Sequence, residues 1–297
     1  MKKKIVLILF AFCVFVSTAV QASAQTPAGP PAVLQIVRED IKTGMMEAHS
    51  REANATVRIW AKAKSPHQRL AMVPIAGNQN EVTYLWPFPS FADYEKAQKD
   101  LDKIGETFKA DFDRTRHAGE DYHSAQRDML CRLRADLSYN LPAGDRAKMR
   151  FMRVETIRVK PGHIQEFEEA RRIVNAAHVK AKVDEHMAVY QVVGGAQAGT
   201  YIVLIPWTSM DDSNLLPHGK AYQDALGEDG AKKVAQIANE AILFDDISIY
   251  ALVPQLSYLL PATVASDPDY WKLKPMSAPG PAPAKKKAPA KAEEKKQ

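Results

Sequence analysis

Seven residues occur twice. Leu137-Ser138-Tyr139-Asn140-Leu141-Pro142-Ala143 returns as Leu256-Ser257-Tyr258-Leu259-Leu260-Pro261-Ala262, 119 positions later. Ile41-Lys42-Thr43-Gly44-Met45 recurs as Val159-Lys160-Pro161-Gly162-His163 at an offset of 118, and Thr83-Tyr84 as Thr200-Tyr201 at 117. Three matches in one order and at nearly one offset describe a repeated unit of about a hundred residues, the size of one small domain. Whatever one copy folds into, the chain must hold it twice.

The second copy is the easier to read. Residues 153–159 alternate, with Val154, Thr156 and Arg158 on one side and Glu155, Ile157 and Val159 on the other, and stop at Pro161-Gly162: a strand ending in a turn. From Ile164 the apolar period becomes three or four (Phe167, Ala170, Val174, Ala177), as an amphipathic helix requires. Met187 to Val193 and Tyr201 to Ile205 are β-rich runs joined by a glycine loop, a helix is expected over Ala231 to Ala241, and Ile247 to Leu256 reads as a last strand. The first copy repeats the order, with a strand at Leu34 to Glu39, a helix from Met45 to about Ala63, strands at Leu70 to Ile75 and Val82 to Trp86, helices within Phe91 to Ala125 and a strand at Met129 to Tyr139.

Strand, helix, strand, strand, helix, strand is a ferredoxin-like unit. Its sheet carries both helices on one face and leaves the other bare, so a second sheet must cover it. The expected fold is α+β: two tandem ferredoxin-like (βαββαβ) units, 33–143 and 149–263, packed as an intramolecular pseudo-dimeric α/β barrel, with Gly144 to Lys148 as linker. Two sheets face to face, or two separate beads covered by neighbouring molecules, are the alternatives.

The ends differ from the middle. Residues 1–24 read as an export signal: Lys2-Lys3-Lys4, an apolar run from Ile5 to Val20, and Ala22-Ser23-Ala24 before a cleavage point near Gln25. A periplasmic or secreted protein is expected. Cys131 is then the only cysteine, so no intrachain disulfide is available, and it reads as a small buried apolar residue. Residues 276–297 are a Lys/Pro/Ala tail with too little apolar surface to fold. The formal charge is +5, but the signal carries +3 and the tail +4, which leaves about −2 for the domains. No nucleic-acid surface is indicated, while the tail has the charge to adhere to envelope polymers or anionic lipid.

Val159-Lys160-Pro161-Gly162 followed by Phe167 and Ala170, and the run from Tyr201 to Met210, resemble the dimeric α/β-barrel superfamily, which includes antibiotic-biosynthesis-type monooxygenases, NIPSNAP-like proteins and chlorite-dismutase-like haem proteins. Tyr84 to Tyr94 is the weaker counterpart in the first copy. The resemblance covers about Val33 to Ala262. It implies a pocket between sheet and helices in each unit, holding haem or an aromatic compound, with cofactor-independent or haem-linked monooxygenase chemistry in some members.

The candidate ligand-binding residues are His49 and Asn54 on the first helix, Trp86 at the end of the third strand, its neighbour in kind Trp207 in the second copy, and the repeated tyrosines Tyr139 and Tyr258. His49 and Asn54 lie about 140° apart around a helix and do not share a face. Phe167 stands where His49 would recur. His117, Glu120, Asp121 and His123 form the richest ligand-type cluster, though six positions put the two histidines on opposite sides of a continuous helix. His178 and His186 flank a loop, and His163 begins a helix. No phosphate loop, nucleophile elbow, His-Glu-x-x-His or paired cysteines occur. Two readings remain: a barrel that binds a small hydrophobic or aromatic ligand, with haem as one such ligand, and a non-catalytic envelope scaffold that uses the basic tail. Either fits a monomeric pseudo-dimer or a homo-oligomer, and the poor catalytic inventory favours binding without catalysis.

Overall fold

The computed structural model describes residues 29–119, 122–141, 148–215 and 219–273. The segment expected to be an export signal, most of the expected linker, Glu120 and Asp121, and the Lys/Pro/Ala-rich end lie outside the described residues. The first half contains β1 (Val33–Ile41), α1 (Met46–Ala63), β2 (Leu70–Ala76), β3 (Glu81–Phe88), α2 (Phe91–Thr107), α3 (Lys109–Gly119) and β4 (His123–Leu133). The second contains β5 (Phe151–Val159), α4 (Ile164–Ala181), β6 (Ala188–Gly194), β7 (Thr200–Trp207), α5 (Lys220–Ala241) and β8 (Ile242–Leu252), followed by two short helices, α6 (Pro261–Ser266) and α7 (Pro268–Trp271).

Local chemistry marks the same corners in both halves. Gly44 and Gly162 take φ of +82° and +87° where β1 and β5 turn into their helices, a conformation that excludes most side chains. Lys64 and Lys182, with φ of 51° and 52°, cap the ends of α1 and α4 in the left-handed region. Ser90 caps α2 by accepting from the Asp93 N–H at 3.1 Å. Gly227 breaks α5 with φ 70°, ψ 167°, so the helix starts earlier than Ala231 but is interrupted.

The eight strands close into one antiparallel barrel in the order β1-β3-β2-β8-β5-β7-β6-β4. Within the halves β1 pairs with β3 and β4, and β5 with β7 and β8; between them β2 pairs with β8 and β4 with β6. Each half thereby supplies the edge the other lacks, and no separate-bead or face-to-face arrangement occurs. One face of every strand points into the barrel: Leu34, Ile36, Met72, Leu85, Cys131, Met152, Val154, Tyr190, Ile202, Leu204 and Tyr250 form a continuous interior core. Cys131 is wholly buried there, and burial pushes its thiol up to about 12, as suits a packing residue.

The repeated heptad is not the end of a strand. β4 and β8 stop at Leu133 and Leu252, and short 3-10 turns (Ala135–Leu137 and Pro254–Leu256) carry the chain onto the other half. Tyr139 forms an antiparallel bridge with Met187 of the second half, and Tyr258 one with Arg69 of the first. The Ser138 hydroxyl accepts from the Val189 N–H and the Ser257 hydroxyl from the Ala71 N–H, both at 2.9 Å. The phenols donate to backbone carbonyls beyond the capped helix ends, Tyr139 to Val183 at 2.7 Å and Tyr258 to Ser65 at 2.8 Å. Leu137 and Leu256 are buried in the outer core of the half to which they do not belong in sequence. The two repeated tyrosines are thus part of an exchange of two straps between the halves. Replacing Ser257 with Ala leaves the buried Ala71 N–H without its acceptor, and denaturant unfolding is expected to show a loss of roughly 1–2 kcal/mol at unchanged m-value.

β4 and β8 also begin earlier than the sequence pattern suggests, at His123 and Ile242. Their first residues, Ser124 to Asp128 and Leu243 to Ile247, are exposed, so no alternating apolar pattern marks them.

Candidate functional site

The barrel interior has two different ends. At one, polar side chains meet: Arg38 donates to the Thr156 hydroxyl at 3.2 Å, and Glu81 accepts from Tyr250 at 2.7 Å and from Thr83 at 2.8 Å. At the other lies a cavity of about 370 Å3. Its wall is made by Leu34 of β1, Leu70 of β2, Leu85 of β3, Met152 of β5, Tyr190 of β6 and Leu204 of β7, and Pro30, Pro31, Met149 and Met187 contribute at the rim. Ligand pockets commonly measure about 300–1,000 Å3 and are mostly apolar with a few oriented polar groups. Here the polar groups are Gln68, His186, Thr263, Ser266 and the Tyr190 phenol, which donates to the Pro31 carbonyl at 3.0 Å.

The end of the second heptad and the segment after it close this mouth. Ala262, Thr263 and Ser266 of α6 and Trp271 of α7 line the cavity, and Trp271 is packed into the interior core. Tyr270 holds the lid by donating to the Leu252 carbonyl at 2.8 Å, with the Arg150 guanidinium 3.8 Å from its ring centre. Arg150 also forms an ion pair with Asp267 between the two short helices. The folded chain therefore continues past residue 263 to Leu273, and its last two helices cover the cavity mouth.

None of the six sequence candidates lines this cavity. The space between sheet and helices, where the resemblance placed a pocket, is packed with side chains. In the first half the buried Arg69 guanidinium lies 4.3 Å from the Trp60 ring centre and 4.0 Å from that of Tyr84, and Trp86 stacks edge-on against Trp60. Asn54 donates to the Gln255 carbonyl at 2.7 Å and accepts from Arg58, fixing the strap to α1. Tyr258 packs beside Trp60. In the second half Trp207 belongs to the outer core with Phe167 and Tyr201, and Tyr139 packs against His178. Asn54, Trp86, Tyr139, Trp207 and Tyr258 are accounted for by packing and strap attachment.

His49 has different company. Its Nε2 lies 2.8 Å from the Glu39 carboxylate on β1, and His123 Nε2 approaches the same oxygen at 3.3 Å, with the two imidazoles edge to face. A bulge between Asp40 and Ile41 brings Ile41 opposite His123 and so turns His123 to the outer face, beside Glu39. Burial pushes the Glu39 carboxyl up, but hydrogen bonds and charge from His123 and His49 outweigh it and hold it at about 2. The hydrogen bond to Glu39 raises His123 against the opposing effect of burial. Of the ligand-type cluster read around His117 and His123, His123 thus meets Glu39 and His49. His163 lies at the α4 N-cap, 3.8 Å from Glu166, and His186 bonds the Asn140 carbonyl at 2.8 Å on the rim of the cavity.

The second half buries a different polar set. His178 is fully buried between the rings of Tyr139 and Tyr222, and burial together with the Arg171 charge lowers it to about 4. Glu185 is buried with neither carboxylate oxygen hydrogen-bonded among the described residues, and desolvation raises it to about 7.

No family model and no curated protein matches this chain. Among solved structures it is similar to a provisionally assigned monooxygenase from Lactobacillus acidophilus NCFM, at 10% identity over 77% of this chain and 96% of that one, with a TM-score of 0.49. An anthrone oxidase-like protein gives 15% identity over 75% and 92% of the two chains and a TM-score of 0.47. A mutant chlorite dismutase from Candidatus Nitrospira defluvii gives 7% identity over 76% and 93% and a TM-score of 0.46. These likenesses are too distant to carry an activity, and the fold of this chain rests on its own strand order.

Proposed function

We propose that this chain is a binding protein for a small, largely apolar and uncharged ligand, held in the cavity at the lidded end of the barrel. The observation that carries the proposal is that cavity of about 370 Å3, walled by strand side chains from both halves. Among its lining residues His186 is the sole imidazole, and there is no carboxylate, Lys or Arg. That lining offers no acid–base pair, and it offers a haem one rim imidazole and no cation for its propionates, so an uncharged aromatic or aliphatic ligand fits it better. Origin of the two halves by duplication of one ferredoxin-like unit is part of the same reading, supported by the repeated heptad and by the matching corners at Gly44 and Gly162. Export is supported by Lys2-Lys3-Lys4 and the apolar run that follows.

Phenylnaphthylamine, an uncharged aromatic fluorophore, is expected to bind saturably at one site per chain. Replacing Leu85 and Leu204 together with Phe fills the cavity and is expected to weaken that binding at least about ten-fold, a difference of about 1.4 kcal/mol. Haemin is expected to give no Soret shift. No saturable fluorescence, or equal affinity in the filled variant, would remove this function.

A further inference from the structure

Glu39, His49, Glu52 and His123 are charged or ionisable groups clustered beneath α1, and the other half shows that the fold does not require them. At the corresponding positions stand Ile157, Phe167, Ala170 and Ile242; the first three are buried and the last is partly buried against the same outer core. An apolar set closes that corner without desolvating any charge, so the polar set in the first half carries a cost that packing does not explain.

Geometry supplies the explanation. One donor atom each from Glu39, His49 and His123 lies within 4.8 Å of the others. A four-coordinate ion with bonds of about 2.0–2.2 Å holds its donors about 3.4 Å apart, so small side-chain movements suffice. Glu52 follows His49 by one helical turn, and its Oε2 is buried without a hydrogen-bond partner among the described residues. A groove between α1 and α3 is bordered by Glu52 and by Tyr122, the residue before His123.

We propose that Glu39, His49 and His123, with Glu52 beside them, form a binding site for a divalent transition-metal ion such as zinc. Imidazole and carboxylate donors in this number suit such an ion better than calcium or magnesium, which prefer oxygen-only shells. The ion would take the place of the direct contacts that Glu39 now makes with the two imidazoles, and would enter beside Glu52.

Cobalt(II) added to the metal-free full chain tests this directly. One ion per chain is expected to bind with visible d–d absorption, to be displaced by zinc, and to raise Tm. His123→Ala, at the partly exposed edge, is expected to lower the affinity at least about ten-fold. The combined variant Glu39→Ile, His49→Phe, Glu52→Ala, His123→Ile copies the other half and is expected to fold, bind no cobalt and show no metal-dependent Tm. Absence of both band and Tm shift in the wild-type chain overturns the site, as does unchanged affinity in His123→Ala or an unchanged band in the combined variant. None of these readouts involves the barrel cavity, so they are independent of the ligand proposed there.

Discussion

Leu137→Ala is expected to destabilise the whole protein by about 3–4 kcal/mol, a fall in Tm of roughly 10 °C. Leu137 is wholly buried, and its neighbours Phe167, Met187 and Tyr201 all belong to the second half. Truncation leaves a methyl-lined void that the surrounding strands, held by the closed barrel, fill poorly. Leu256→Ala is the mirror experiment, because Leu256 is buried against Ala53 and Tyr84 of the first half. Since each leucine anchors a strap from one half in the core of the other, neither half has a complete core alone. Both variants should therefore keep one cooperative transition, coincident by near- and far-ultraviolet circular dichroism, at a lower midpoint. Two separated transitions, with only one displaced, would mean that the halves are independent.

Glu185→Gln is expected to act in the opposite direction. Burial raises this carboxyl from 4.5 to about 7, so the folded chain holds its proton longer than the unfolded one. The wild-type protein consequently loses stability as pH climbs from about 4.5 to about 7, and the penalty is full above that range. Glutamine removes the ionisation, and the variant should be more stable at pH 8 by about 3 kcal/mol, with little difference below pH 4.5. His178 contributes the opposite slope: burial lowers it from 6.5 to about 4, so stability falls as pH drops through that window. The two slopes oppose each other in the wild type, and Glu185→Gln should steepen the loss of stability on acidification between about pH 4.5 and 6.5. Denaturant unfolding at several pH values reads both effects.

The fold was largely legible because its constraints repeat. A period of three to four in residues 164–177, alternation in 153–159 and the paired turns at Gly44 and Gly162 define the elements, and a half-covered sheet demands a partner. What local pattern does not encode is which strand meets which. The heptad looked like the end of a strand because its residues are apolar and aromatic, but those residues are buried by the opposite half, a pairing of positions far apart in sequence. His123 offered no sign of Glu39 or His49, since a bulge at Asp40 and Ile41 sets that meeting. Resemblance placed a pocket between sheet and helices, where Trp60, Arg69, Tyr84 and Trp86 leave no room. The cavity draws its wall from six strands and its lid from the end of the second heptad and the residues that follow it. A signal for the lid was present: Pro261 and Pro268 start two short helices, and Tyr270-Trp271 are the last aromatic residues before the tail.

The most direct measurement of the binding function is a methionine-methyl NMR titration with phenylnaphthylamine. Met149, Met152 and Met187 line the cavity, whereas Met45 lies at the start of α1 and Met210 follows β7, away from it. Saturable shifts at Met149, Met152 and Met187, with Met45 and Met210 unmoved, are the predicted result. Shifts confined to Met45 or Met210, or no saturable shift at any methyl, would contradict it.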